Sequence, residues 1–226
     1  MPTFAHSMKY LLFGFCLAMA FSVKAFGMET QPTPAVEVEG VIKSDTTWSG
    51  RVLVVGDVLV PESVTLTIEP ETLVLFAQSD STKIEPMFLS MQTELLVRGT
   101  LLVNGTGDAP VRFMPAYDSV TRKTPARGDW GGLIFDGEGA SKSVVKGVDF
   151  VMADTAVAAY NSSPTLDVCV IRDCRYGLVA ADGAAPKVTG CTITDCEFGV
   201  VTYRGGSPSL GGCKVEHNEH DFLTRD

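Results

Sequence analysis

Five of the six cysteines fall in one short stretch. Cys169 and Cys174 are five residues apart, Cys191 and Cys196 repeat that spacing 22 residues later, and Cys213 follows after another 22. Thiols in this pattern could pair as disulfides, hold zinc through two Cys-x4-Cys elements, or act as small apolar side chains facing an interior. His217 and His220 are three residues apart beside Glu216, Glu219 and Asp221, a set able to hold a divalent metal or to form a polar cap on a strand edge. A third group leads through Tyr117, Asp118, Arg122, Lys123, Arg127 and Asp129 into Trp130. Arginine beside aromatic rings suits sugar stacking and carboxylate pairing, which makes these seven candidate ligand contacts.

A repeat positions the cysteines and histidines. SPTLDVCVIRDCRYGLVAADGA from Ser163, APKVTGCTITDCEFGVVTYRGG from Ala185 and SPSLGGCKVEHNEHDFLTRD from Ser207 align at a period of 22, and VVKGVDFVMADTAVAAYNS joins them one residue short. A period in this range, bounded by Gly, Pro, Asn and Asp, signals stacked coils. Within each unit, alternation such as Cys191-Thr192-Ile193-Thr194 has the period of two of a strand.

The columns of this alignment decide between the readings of the cysteines. Val148, Cys169, Cys191 and Cys213 share one column, and Ala153, Cys174, Cys196 and Asn218 another. Val and Ala can neither bind metal nor form disulfides, so these positions predict a small residue in a stacked core. The coil spacing of ~4.8 Å still permits a disulfide. Inward neighbours are Phe150, Ile171, Ile193, Val215 and Val157, Leu178, Val200, Phe222.

Outward columns carry the surface chemistry. Asp149, Val170, Thr192, Lys214 and Val151, Arg172, Thr194, Glu216 place no carboxylates on adjacent coils. Asp173 and Asp195 stack before a turn, where bonds to backbone amides are expected. Asp154, Arg175, Glu197 and Glu219 predict a solvated face with weak ion pairs. Tyr160, Ala181, Tyr203 and Arg225 run beside Ala158, Val179, Val201 and Leu223. That strip, with Tyr160, Val179, Val201 and Tyr203 as its candidate contacts, is more apolar than a solvated face requires and predicts a groove, a partner or a covering segment.

Lys9, the apolar run 11–21 and Val23-Lys24-Ala25 read as a signal peptide over residues 1–25, too short an apolar run to span a bilayer. Its removal takes Lys9, Lys24 and no acid, so the net charge falls from −9 to −11. So acidic a chain, without a basic cluster, is a poor partner for nucleic acid. A secreted, periplasmic or cell-surface protein without a membrane span is expected. Residues 26–39 read as a linker and 40–226 as one all-β domain. Strands are expected at 52–55, 58–60, 64–68, 73–76, 94–97, 101–103 and 111–114. Two insertions, 77–92 and 115–129, follow strands that end in Phe76 and Phe113, so both should leave the solenoid at the same corner.

The unit x-Ile-x-Asp-Cys-x-x-Gly-Val/Leu, with Ser/Ala-Pro at each turn, resembles the right-handed parallel β-helix repeat of pectin-lyase-like proteins. Gly40-Val41-Ile42, Asp45-Thr46-Thr47-Trp48, the run Val64 to Pro70, Gly99-Thr100-Leu101 and the run Gly128 to Phe135 are similar to the opening coils of exported bacterial β-helix proteins. Asn218 sits where such proteins stack asparagines; Cys174 and Cys196 depart from that pattern. The resemblance implies a single-stranded right-handed parallel β-helix. It also implies what an enzyme of this kind would need: clustered carboxylates for Ca2+ and an Arg or Lys base in a lyase, neighbouring Asp residues in a hydrolase.

The outward columns supply neither set, and no cofactor is expected, Ca2+ entering only with a lyase. The leading expectation is an exported, non-catalytic β-helix that binds polysaccharide or envelope glycan, or serves as a surface scaffold. The alternatives are a polysaccharide lyase or hydrolase with its site at the two insertions, and a module that associates with itself or a partner through the apolar outer strip or the C-terminal edge.

Overall fold

The computed structural model describes residues 35–78, 91–116 and 124–226. The expected signal peptide lies outside them. The strands of the first part are β1 (Val36–Val41), β2 (Thr46–Trp48), β3 (Arg51–Val60), β4 (Thr65–Ile68), β5 (Leu73–Phe76), β6 (Glu94–Val97), β7 (Thr100–Asn104) and β8 (Val111–Pro115). After the second insertion come β9 (Trp130–Asp136), a 3-10 turn (Glu138–Lys142), β10 (Val144–Lys146), β11 (Val148–Val151), β12 (Ala153–Tyr160), β13 (Thr165–Asp167) and β14 (Val170–Arg172). The last coils hold β15 (Tyr176–Ala181), β16 (Lys187–Thr189), β17 (Thr192–Thr194), β18 (Phe198–Tyr203), β19 (Ser209–Gly211), β20 (Lys214–Glu216) and β21 (His220–Arg225).

Every pairing between these strands is parallel, and each partner lies one coil away. The first face is a seven-stranded sheet of β2, β4, β7, β10, β13, β16 and β19. The second face runs from the first half of β3 through β5, β8, β11, β14, β17 and β20, and the third from its second half through β6, β9, β12, β15, β18 and β21. The strands expected at 52–55 and 58–60 are thus one strand, because β3 passes the corner without a break and joins two faces into a single sheet. Residues 36–39, expected as linker, belong to β1, which pairs along β3.

The corners explain the punctuation of the repeat. Between first and second faces, Gly147, Val168, Gly190 and Gly212 have φ of 52–65°. Between second and third, Met152, Asp173, Asp195 and His217 have φ of 55–63°. Left-handed backbone favours Gly and, next, Asn, Asp and His. The expected bonds from Asp173 and Asp195 to turn amides are replaced by side-chain bonds: their carboxylates accept from Arg172 (2.7 Å) and from the Thr194 hydroxyl (3.0 Å). It is the backbone conformation that selects them. Val168 is the odd member of its column, a β-branched residue held left-handed among glycines. Gly177 and Gly199 answer a different demand, since a Cβ on Gly199 would lie 2.7 Å from the Asp221 carbonyl of the next coil.

Inward residues build the core. Val148, Ala153, Cys169, Cys174, Cys191 and Cys196 are buried, and Cys213 packs partly buried below them. All five described cysteines are free thiols. Both insertions leave between the second and third faces, with Phe76 of β5 paired to Pro115 of β8. The two Phe residues do not mark equivalent points, since Phe113 pairs with Val74.

Candidate functional site

Of the seven ligand contacts expected around the second insertion, Tyr117, Asp118, Arg122 and Lys123 lie outside the described residues. The other three have structural partners. Trp130 is fully buried, its ring stacked on Phe76 (centroids 4.1 Å apart, 15° between planes) and its indole N–H donating to the Val151 carbonyl (2.8 Å). With one face covered and its donor used, it is a core side chain, and the expected sugar contact is corrected. The Asp129 carboxylate accepts from the Ala126 amide (2.7 Å), closing the turn before β9. Arg127 reaches along the second corner to Glu219 (2.9 Å) and to the Asp195 carbonyl (3.0 Å), so it ties the insertion to the last coils.

The strip on the outside of the third face is a groove. Tyr160, Val179, Val201 and Tyr203 belong to an apolar cluster separate from the interior, with Leu96, Ile134 and Ala158. Successive pairings link Leu59, Leu96, Ile134, Ala158, Val179, Val201 and Leu223 into one column. It is nearly twice as long as the repeat alone suggests. At its C-terminal end a cavity of about 550 Å³ opens over Val179, Val201 and Leu223.

Two walls flank this floor. On one side Tyr176, Phe198 and His220 stack in series, with centroids 5.1 and 5.0 Å apart and planes within 17°. On the other stand Tyr203 and Arg225, paired across β18 and β21. Guanidinium groups lie over a ring on each side, Arg175 over Tyr176 (5.2 Å) and Arg204 over Tyr203 (5.1 Å). Arg175 also bridges Asp154 (3.5 Å) and Glu197 (3.6 Å), and Arg204 holds Asp182 (2.7 Å). Burial raises the Asp154 carboxyl above its ordinary pKa of 3.8, and Arg175 opposes the shift. The Tyr176–Phe198–His220 wall was missed in the sequence, although its members recur every 22 residues; the glycine after each of the first two obscures the inward–outward alternation.

The family model described as a right handed beta helix region matches residues 130–225. The match covers less than half of the chain, and the parallel coils on both sides of residue 130 share its fold. No curated protein and no solved structure matches the chain. The groove therefore lies on a β-helix coil surface, and its floor continues without a register break onto coils before residue 130.

Thiols inside the β-helix have a specific task at the corners. The Cys169 amide donates to the sulfur of Cys191, one coil on (3.2 Å), and the Cys196 amide donates to Oδ1 of Asn218 (2.9 Å). Cys191 and Asn218 thus each satisfy a backbone amide of the coil before them. The hydrogen bond with Cys169 lowers the Cys191 thiol to about 7 and raises Cys169; burial and then the bond with Cys196 raise Cys174. His220 is committed to the aromatic wall. Among the described residues no group of three His, Cys, Asp or Glu side chains is gathered as a metal site.

Proposed function

We propose that this chain is an exported, non-catalytic β-helix whose third-face groove holds a segment of neutral glycan. Export rests on Lys9 and the apolar run 11–21. The observation that carries the ligand assignment is the composition of the groove: an apolar floor, an aromatic wall, and arginines already paired with acids. Sugars present apolar C–H faces and rings of hydroxyls. An apolar floor suits the first, and Arg–Asp pairs offer donors and acceptors together for the second. Arg175, Arg204 and Arg225 are nearly balanced by Asp154 and Asp226 in the lining, which favours an uncharged chain over a polyanion. The reading needs neither a cofactor nor Ca2+. The cavity volume is within the range of small-ligand sites, about 300–1,000 Å³.

Affinity electrophoresis of the full chain in gels cast with neutral glucans and mannans tests this, with polygalacturonate and alginate in parallel. Retardation is expected in at least one neutral gel, lost in Phe198→Ala and kept in Thr192→Asp on the second face. Equal retardation of wild type and Phe198→Ala, or none in any neutral gel, overturns the assignment. Ultraviolet-absorbing unsaturated product from polygalacturonate or alginate would put a lyase in its place.

A further inference from the structure

The groove repeats itself from coil to coil. Val179, Val201 and Leu223 follow one another along its floor, each paired with the next across adjacent parallel strands. Such strands lie ~4.8 Å apart. The rings of Tyr176, Phe198 and His220 step along one wall at 5.1 and 5.0 Å. The polar rim keeps the same step. Arg175 joins Asp154 of the coil before to Glu197 of the coil after, and Arg204, on the opposite side, joins Asp182 of the coil before. Floor, wall and rim therefore share one period, directed along the solenoid axis. A ligand that meets all of them at every coil must have that period as well.

We infer that the occupant is a β-1,4-linked glucan laid along the axis with one glucose on each coil, an assignment that rests on the neutral-glycan reading of the groove. The first feature that selects it is rise. A β-1,4-linked chain of hexopyranoses is an extended ribbon whose advance per sugar is close to the coil spacing, so each sugar meets the same surroundings as the last. Chains with α-1,4 or β-1,3 links curl, and their successive sugars leave a floor that runs along the axis. The second feature is the floor itself, where Val179, Val201 and Leu223 present only hydrocarbon side chains. A ribbon rests there on the flat of its rings. In β-linked glucose every hydroxyl is equatorial. The flat then carries only C–H groups, and the hydroxyls project sideways to Asp154 and Arg175 on one side and to Arg204 on the other. In mannose the 2-hydroxyl is axial. Alternate sugars of the ribbon turn opposite flats to the floor, so a mannan sets an axial hydroxyl against hydrocarbon on every second coil, where nothing replaces its bonds to water. The cavity of about 550 Å³ extends over the three coils that carry Val179, Val201 and Leu223, which gives room for a run of sugars rather than one.

Isothermal titration calorimetry of the full chain with cellotetraose, mannotetraose, maltotetraose and laminaritetraose tests the inference, with circular dichroism as the check on folding. Cellotetraose should bind most tightly. Mannotetraose should bind about tenfold more weakly, the effect of burying one unpaired hydroxyl. Val201→Thr puts a hydroxyl on the floor and keeps the branched shape, so it should strengthen mannotetraose, weaken cellotetraose and narrow the ratio between them. A merely structural role for Val201 would leave that ratio unchanged, and an unchanged ratio overturns the inference. Binding of any of the other three tetraoses as tightly as cellotetraose also overturns it, while the neutral-glycan reading stands. Absence of binding to all four removes both.

Discussion

Two columns of apolar residues run the length of the solenoid side by side. One comprises Val58, Leu95, Leu133, Val157, Leu178, Val200 and Phe222; the other is formed by the residue after each of these. The first faces inward and merges with the aromatic and thiol core, whereas the second faces outward and remains a separate cluster. Composition barely distinguishes them, and both are largely buried. What differs is the opposing surface. Inward residues meet the other two faces of the coil, while outward ones meet only their own column and the flanking rings. An apolar column without an opposing layer is a surface held ready for something else, and the groove occupies that part of the molecule.

Substitutions on either side of the sheet can break this comparison. Cys191→Asp, which puts a charge inside, should cost several kcal/mol or abolish folding, whereas Thr192→Asp, one residue on and facing out, should stay within about 0.5 kcal/mol; chemical denaturation of both variants measures the contrast. Leu178→Ala should cost about 2–5 kcal/mol through the cavity it leaves. Val179→Ala should cost only about 1–2 kcal/mol while weakening glycan retardation. Equal stability losses at 178 and 179 would make the outer strip a second core rather than a binding floor.

Smaller effects sharpen the picture of the strip. The Tyr160 hydroxyl is buried beside the groove and has no hydrogen-bond partner among the described residues. Tyr160→Phe should therefore raise stability by about 1 kcal/mol, read as a higher Tm. Asp154 provides the pH signature. Its carboxyl titrates higher in the fold than in the unfolded chain, so the folded state disfavours its ionisation. Stability from this group is full below the unfolded pKa and declines as pH rises through the raised value. Wild type should lose stability over that interval relative to Asp154→Asn, in paired melting curves taken upward from about pH 4. A parallel pair of curves would remove Asp154 from the desolvated end of the groove.

Much of this was legible because a coil of constant length turns sequence period into spatial stacking. Columns such as Phe150–Ile171–Ile193–Val215 follow directly from the 22-residue repeat, and pairing places them as the alignment does. The inward placement of Cys169, Cys174, Cys191 and Cys196 was equally readable, since Val148 and Ala153 hold the same positions one coil earlier. Trp130 was not. Its stacking partner Phe76 precedes it by 54 residues with both insertions between, and no local pattern reports that distance. Arg127 is similar, reaching Glu219 from 92 residues away. Asp173 and Asp195 were recognised as turn residues but assigned the wrong bonds, because spacing does not reveal the sign of φ.

The sequence by itself determined the coil: alternation chose strands, the 22-residue period chose stacking, and Gly, Asn and Asp chose the corners. Each of these is a short-range constraint, written within a single turn of the solenoid. Only the tertiary structure decided that the coils before residue 130, with their unequal lengths, share the register of those after it. Only there did the outer strip acquire its aromatic wall and ion-paired rim. Those outcomes depend on hydrogen-bonded pairing between strands far apart in the chain. The length of the connecting loops does not fix that pairing, and the fit of one coil on the next does.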